Sequence, residues 1–429
     1  MAAGHFTKQQ WDKIEAELLR DPKGYGMPDG PREESMVLAS FNIRKLGQTE
    51  KREKGKTISR KRELEFMARF CARCDLIAIQ EVQDNLKGLR YLKQKIDERV
   101  ASEGEFGLLV SDITGEVPGE KGMSERLAFL YRKSRIKRLD MTSDLTVDRS
   151  GVLKNFADKS DLFAAAWNDH QEKLEKFNKD LKKWSKKPPN KRPKKKPKKP
   201  KLKLPAFLTF TRTPFVAAFE APTATGGDPL QFIAVNAHLI YGTMKDRKEE
   251  FKALISWMTN RLIRQKRMVA PNFILMGDLN LDLDKPVKDR AEINDYICGL
   301  NEKVFGDKKA ERVYFPFIDK HPVTKKLIRT NARQNQTFDQ IAFLRGAKEQ
   351  QLPNKRWSKL VDWDDLDAFD FNVFNFANLF AKTIKGKAYR GLTKVQREDL
   401  GKYFENSVSD HMPIWVRIPR PGFRIPPPV

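Results

Sequence analysis

The sequence predicts an α+β fold of layered sheets and helices, on three observations. Residues 273–276 are four successive apolar residues with polar neighbours, a pattern that marks a short strand buried on both faces of a layered sheet. Runs of the same kind stand at 37–41, 75–79 and 232–235. Between them, apolar residues recur at helical spacing, as in Leu64, Met67 and Phe70, in Leu89, Leu92 and Ile96, and in Phe251, Leu254, Ile255, Met258 and Leu262. With 429 residues and 39% hydrophobic content, the chain has enough apolar surface to bury a sizeable core.

Taken in order, Thr7 with Gln10 three residues on forms a capping box, and Trp11, Ile14 and Leu18 then share one helical face until Asp21-Pro22 stops it. Residues 22–31 are rich in Gly and Pro, so 1–32 is expected to be a helix and linker ahead of a body at 33–420, with a tail at 421–429. The strand at 37–41 ends in Asn42, a basic loop at 48–56 leads to a helix near 59–73, and the strand at 75–79 stops at Gln80-Glu81. Strands follow at 106–111 and 127–131, the second preceded by Ser124-Glu125-Arg126.

From 144 to 206 the pattern changes and reads as an insertion. Phe163, Trp167, His170, Leu174, Phe177, Leu181 and Trp184 step by four and three, a heptad seam on one long charged helix that must pack on something. The stretch 182–203, which begins at Lys182 and ends at Lys203, holds thirteen Lys/Arg, several prolines and no acid, a composition expected to stay extended and solvated. The body resumes around Arg212, and 232–235 runs into Asn236 and His238. After a helix near 245–265 and the strand at 273–276, Asp339 opens another strand and Asp410-His411 introduces 412–418. No internal repeat is visible.

Lysine and arginine outnumber acids by 83 to 57, and a net charge of +26 favours a polyanionic partner such as nucleic acid or an anionic membrane surface. Three cysteines do not make a disulfide framework in a chain this long, which suits a reducing, cytoplasmic setting. Cys71 and Cys74 follow an apolar helical pattern without a second Cys/His pair to complete a zinc set, so they read as core. The first twenty residues have no apolar signal region, and no stretch approaches a membrane span.

Candidate chemistry gathers at strand ends. Side chains two apart on an extended chain point the same way, so Asp278 and Asn280 share one side, as do Asn236 and His238, and Gly277 permits a close approach of backbone or ligand. Six strand ends carry Asn42, Glu81, Asn236/His238, Asp278/Asn280, Asp339 and Asp410/His411, in a chain with only five histidines. Singly, an Asp or Asn here bonds its own backbone in a turn, and a histidine is a satisfied surface residue. Jointly they fit a phosphate ester beside a hard cation.

The motifs SFNIRKLG (40–47), DLIAIQEVQD (75–84), SERLAFLYR (124–132), TRTPFVAAF (211–219), NAHL (236–239), MGDLNLD (276–282), TFDQIAF (337–343) and SDHMPIW (409–415) together make the chain resemble the endonuclease/exonuclease/phosphatase superfamily, in its deoxyribonuclease I-like branch. The resemblance implies a four-layer αββα sandwich with the site where both sheets' strand ends meet. It implies Glu81 as principal metal ligand with Asn42 and Asp410 nearby, and Asp278 and Asn280 orienting the attacking water and the phosphate. It also implies two histidine–carboxylate pairs, His238 with Glu125 and His411 with Asp339, and phosphate binding by Arg212, Asn236 and Arg44. An all-oxygen ligand set suits Mg²⁺, with Mn²⁺ or Ca²⁺ as alternatives. The activity so implied is endonucleolytic cleavage of DNA, duplex favoured, at low sequence specificity, with 182–203 as an electrostatic tether.

Where that branch presents an arginine and a tyrosine to the minor groove this chain has Gln83 and Met123, and the family's disulfides are absent. Three other activities fit parts of the pattern: an apurinic-site endonuclease, disfavoured by His238; a phosphatase or phospholipase acting on inositol phosphates or membrane lipids; and a non-catalytic nucleic-acid binder, disfavoured by so many carboxylates near phosphate.

Overall fold

The computed structural model describes residues 5–422 apart from 54–55, 102–103, 116–123, 147–148, 189–190, 194, 201, 203–208, 224–225, 264–268, 282–285, 307–311, 347–351 and 353–369. Met123 and parts of 182–203 therefore lie outside the described residues.

Two six-stranded sheets form the centre. The first contains β1 (Ser35–Leu46), β4 (Leu76–Val82), β5 (Phe106–Val110), β6 (Arg126–Arg132), β13 (Asp370–Val373) and β14 (Ile414–Pro419), in the order β13-β14-β1-β4-β6-β5. The second contains β7 (Lys137–Asp144), β8 (Phe215–Ala221), β9 (Leu230–His238), β10 (Phe273–Asp278), β11 (Val313–Tyr314) and β12 (Asp339–Leu344), in the order β11-β12-β10-β9-β8-β7. Each sheet has a parallel pair at its middle, β1 with β4 and β9 with β10, flanked by antiparallel neighbours. The two halves thus share a plan that the sequence did not reveal, because strand order is set by pairing between distant segments.

Alternation along the strands builds the layers. On β10, Ile274 and Met276 join the core between the sheets, while Phe273 and Leu275 face the opposite way. There they meet the apolar faces of α6 (Met244–Ile263) and α7 (Pro286–Phe305). The first sheet is covered by α1 (Lys8–Arg20), α2 (Lys61–Cys71), α3 (Lys87–Arg99), α8 (Phe376–Lys385) and α9 (Lys394–Ser407). Helices, two sheets and helices make the four-layer α+β sandwich that the resemblance implies.

Thr7 closes the expected capping box on α1, and Trp11, Ile14 and Leu18 are buried in the first sheet's core, with Trp11 against Phe66 and Phe380. Cys71 and Cys74 are fully buried core residues, and burial pushes the Cys71 thiol up to about 12. The basic loop at 48–56 is instead part of a small hairpin, β2 (Glu50–Glu53) with β3 (Lys56–Ser59). Helices α7, α8 and α9 were not foreseen, although the Thr393/Gln396 capping box and the Asn375 N-cap were available as signals.

The insertion begins with α4 (Arg149–Ala157) and continues in α5 (Ser160–Lys186), a helix of 27 residues on which only Phe163 is buried. Beyond it the Lys/Pro stretch does not simply extend into solvent. It turns back so that the Trp184 indole donates to the Pro193 carbonyl at 3.1 Å, and Arg192 lies 4.9 Å over the Trp184 ring. A planar indole holds the cationic chain at that point.

Two backbone features aim the strand ends. Register shifts between Asn42 and Leu46 on β1 and between Ile79 and Val82 on β4 release those strands from the ladder just where the polar residues begin. Glu81 and Asn280 adopt left-handed φ values of 58° and 52°, strain of about 1–3 kcal/mol each that persists only where surrounding contacts enforce it.

At Gly277 φ is 148°, and a Cβ there would run into the Ala237 carbonyl of the adjacent strand. The close approach foreseen for this glycine is thus one of backbone to backbone, β9 against β10. Gly277→Ala is expected to lower stability by roughly 2–3 kcal/mol, read as a shifted denaturant midpoint. An unchanged midpoint would mean that β9 can move aside freely.

Candidate active site

The ladder of the second sheet brings Asp278 opposite Asp339 on β12 and beside His238 on β9. His238 donates from Nδ1 to Glu125 at 2.5 Å, which leaves its Nε2 3.4 Å from Oδ2 of Asp278. His411 donates from Nδ1 to Asp339 at 3.0 Å, and its Nε2 stands 3.5 Å from the same Oδ2. Asn42, from the first sheet, donates to that oxygen at 3.1 Å and to Glu81 at 3.3 Å. The other oxygen, Oδ1, accepts from the backbone of Asn280 at 3.1 Å, and the Asn280 amide donates to the Leu239 carbonyl at 2.9 Å. Nine of the twelve predicted site residues therefore lie in or directly against one cluster at the strand ends, namely Asn42, Glu81, Glu125, Arg212, His238, Asp278, Asn280, Asp339 and His411.

Electrostatics follows from this crowding. Burial opposes charging of His411, but Asp339 and Asp278 outweigh it and hold the imidazole well above its ordinary value. His238 is raised in the same way, burial being overcome chiefly by Glu125. Burial would raise Asp278, yet the two imidazoles and the Asn42 donor hold it below the ordinary carboxylate value. Burial pushes Asp339 upward against the pull of His411. Because two carboxylates face that one imidazole, the shared proton belongs on His411.

Two of the predicted phosphate-binding residues are held by partners inside the fold. Asn236 is fully buried, accepts from Gln80 at 2.7 Å, and donates to the carbonyls of Ile79 and Ala128 across the sheet interface. Its position two residues before His238 put it on the right face but deeper between the sheets. Arg212 is likewise buried, 3.0 Å from Glu125 and donating to the Leu239 carbonyl, so it supports the Glu125–His238 pair from behind. Arg44 remains half-exposed, 3.4 Å from Glu405 and 4.0 Å from Asp410.

Arg44 also lines a cleft of about 600 Å³ of mixed charge, with Lys45, Arg60 and Gln83 facing Glu50, Asp84 and Glu405; the backbone N–H of Lys45 donates to Glu81.

Oxygen donors suited to a cation are present. The Oδ1 atoms of Asn42 and Asp410 are buried without a hydrogen-bond partner among the described residues. Both belong to the predicted metal set with Glu81, and an orphaned buried oxygen fits a hard cation. Asp278, Asp339 and His411 form a further group whose ligand atoms all lie within 4.8 Å of one another.

Positioning residues escaped the sequence reading because they act through backbone. Ser409 donates to the Asn42 carbonyl at 2.7 Å and accepts from the backbone of His411, tying that loop to β1. Thr330 accepts from the backbone of Asp339 at 3.1 Å. Tyr241, 66% exposed, stands edge-on to Phe338, which lies 5.7 Å from the His411 ring.

No family model and no curated protein matches the chain. Among solved structures it is similar to an endonuclease/exonuclease/phosphatase family protein from Bacteroides thetaiotaomicron, at 13% identity over 90% of this chain and 98% of that one, TM-score 0.41. It is also similar to the human Nocturnin catalytic domain with bound sulfate, at 11% identity over 89% and 93%, TM-score 0.41. A third is truncated TDP2 from Caenorhabditis elegans, at 12% identity over 89% and 96%, TM-score 0.40. Likenesses this distant carry no conclusion about activity, and the functional reading rests on the chain's own geometry.

The raised pKa of His411 gives a signed expectation. A group held above its unfolded value of about 6.5 adds stability that is complete below that pH and is lost as pH rises through the folded value. In EDTA, the stability margin of the wild-type chain over His411→Gln should be largest near pH 5 to 6 and shrink as pH rises. Urea midpoints across that range measure it; a margin that grows with pH would contradict the assignment.

Proposed function

We propose that the chain is a divalent-cation-dependent phosphodiesterase that cleaves DNA with little regard to sequence. One observation carries the reading: two imidazole Nε2 atoms, each backed by its own carboxylate, converge on Oδ2 of a single aspartate. A structural salt bridge needs one such partner, whereas transfer of a proton near an anionic ester uses a carboxylate between two oriented imidazoles.

Glu81, Asn42 and Asp410 would hold the cation, Mg²⁺ by preference with Mn²⁺ or Ca²⁺ also suited to oxygen donors. Bound there, it supplies neutralisation of charge on the phosphate oxygens. Asp278, kept ionised by its neighbours, accepts a hydrogen bond from the attacking water and orients it. His238 and His411 act jointly, as proton donor and as donor to a phosphate oxygen, each fixed in tautomer by Glu125 or Asp339. Asn280 sits beside Asp278 as a neutral group that a second carboxylate could not replace without repelling phosphate. Tyr241, one face of its ring carrying Arg247, leaves an exposed aromatic edge beside the site against which a base can pack.

A polyanionic substrate such as DNA is favoured over small phosphodiesters by the net charge of +26 and by the thirteen cations of 182–203. Gln83 lines the same cleft as Arg44 and supplies neither charge nor ring, which supports weak base preference.

Asp278→Ala and Glu81→Ala are expected to abolish relaxation of supercoiled plasmid in Mg²⁺ in protein whose folding is checked by circular dichroism, and His238→Ala and His411→Ala to lower kcat far more than they raise KM. Parallel incubations with single-stranded DNA, RNA, an apurinic duplex and inositol phosphates separate the alternative substrates. Full activity in the Asp278 or Glu81 variant would overturn the site.

Deleting 187–203 should flatten the salt dependence of duplex binding. Contact with about six phosphates implies a slope near 0.9 per phosphate, or roughly three decades between 50 and 200 mM salt. The rate at saturating DNA should hardly change, and an unchanged salt slope would remove the stretch from DNA binding.

A further inference from the structure

The heptad seam of the insertion is not used by the proposed site. Its seven residues run along α5 at strict four-three spacing over three heptads; Phe163 is buried, Trp167 is 54% exposed, and His170, Leu174, Phe177, Leu181 and Trp184 are half-buried. A helix that packs on a globular body carries a broader apolar face, whereas a two-position seam is the pattern of helix against helix. Helix α4 sets Phe156 against Phe163, at the seam's first position.

The charges say what fits it. Residues 160–173 carry three acids against one lysine, and 174–186 carry five lysines against two acids. A second α5 laid antiparallel matches the acidic half of each helix to the lysine-rich half of the other. One laid parallel aligns the lysine-rich ends and the cationic stretches that follow them.

We propose that α5 pairs antiparallel with α5 of a second copy of this chain. One register closes the layers from 170 to 181: Leu174 meets Phe177 of the second copy and Leu181 meets His170, while Trp167 falls beside Trp184, whose ring also carries Arg192 of its own chain. The same register sets Lys173 against Asp180 and Gln171 against Asn178 on the two flanks, each pair occurring twice by symmetry. In parallel pairing the flanking contacts would be Lys173 with Asn178 and Asp180 with Ser185, without an ion pair. His170 is the single titratable residue of the seam and meets only Leu181, so it sets register at some cost in stability, as one polar seam residue does in coiled coils. Two-fold pairing sends the two Lys/Pro stretches out from opposite ends of the paired helices, about 40 Å apart at 1.5 Å per residue.

Sedimentation equilibrium of the full chain tests this over about 1–100 µM, the range in which a modest coiled coil dissociates. The wild-type chain should sediment as a dimer and Leu174→Glu as a monomer. Asp180→Lys, which sets lysine against Lys173 of the second copy, should weaken the dimer about tenfold, and combining it with Lys173→Asp should restore it. None of these positions lies in the candidate active site, so plasmid relaxation per chain should be preserved. A wild-type monomer throughout, a dimer indifferent to Leu174→Glu, or failure of the double reversal to restore association would each overturn the proposal.

Discussion

A single carboxylate oxygen, Oδ2 of Asp278, organises this molecule. It receives Asn42 from the first sheet and His238 from the second, together with His411 from the loop that ties the two together. Every one of these groups is buried, so each would be costly alone, and their mutual neutralisation makes the cluster tolerable in a low-dielectric setting. The sandwich supplies the geometry. Two sheets that each end a parallel pair at the same edge bring polar ends together, and the Asn236 bridge to Gln80, Ile79 and Ala128 fixes their spacing one layer below.

Around that cluster the chain holds strain that packing alone does not explain. Glu81 and Asn280 stand in left-handed backbone, and both flank Asp278, one through Asn42 and one through its own N–H. Register shifts on β1 and β4 turn the strand ends outward at the same level. Such departures, concentrated at one edge of a regular sandwich, are where foldability has been traded against a fixed arrangement of donors and acceptors.

Much of this was legible in the sequence because it rests on periodicity. The buried runs at 75–79 and 273–276 predicted strands, and the two-residue spacing of Asp278 with Asn280 and of Asn236 with His238 predicted a shared side. What spacing could not give was depth: Asn236 lies on the same side as His238 yet between the sheets, and Arg212 lies behind Glu125. Nor could it reveal Ser409 and Thr330, which act through backbone groups of distant segments. Helix α9 had a readable cap, whereas α7 has few buried residues and its packing depends on the second sheet. The long helix α5 showed the seam in sequence; the structure adds that only Phe163 of the seam is fully buried, with five of its seven residues half-buried.

The site depends on one ionised aspartate shared by two protonated imidazoles. Nitrogen-detected NMR titration of His238 and His411 in the metal-free protein measures this directly. Both imidazoles should titrate above the ordinary histidine value of about 6.5, and both values should fall in Asp278→Asn, which keeps the shape and removes the charge. Two imidazoles that titrate at ordinary values, or that are unmoved by Asp278→Asn, would contradict it.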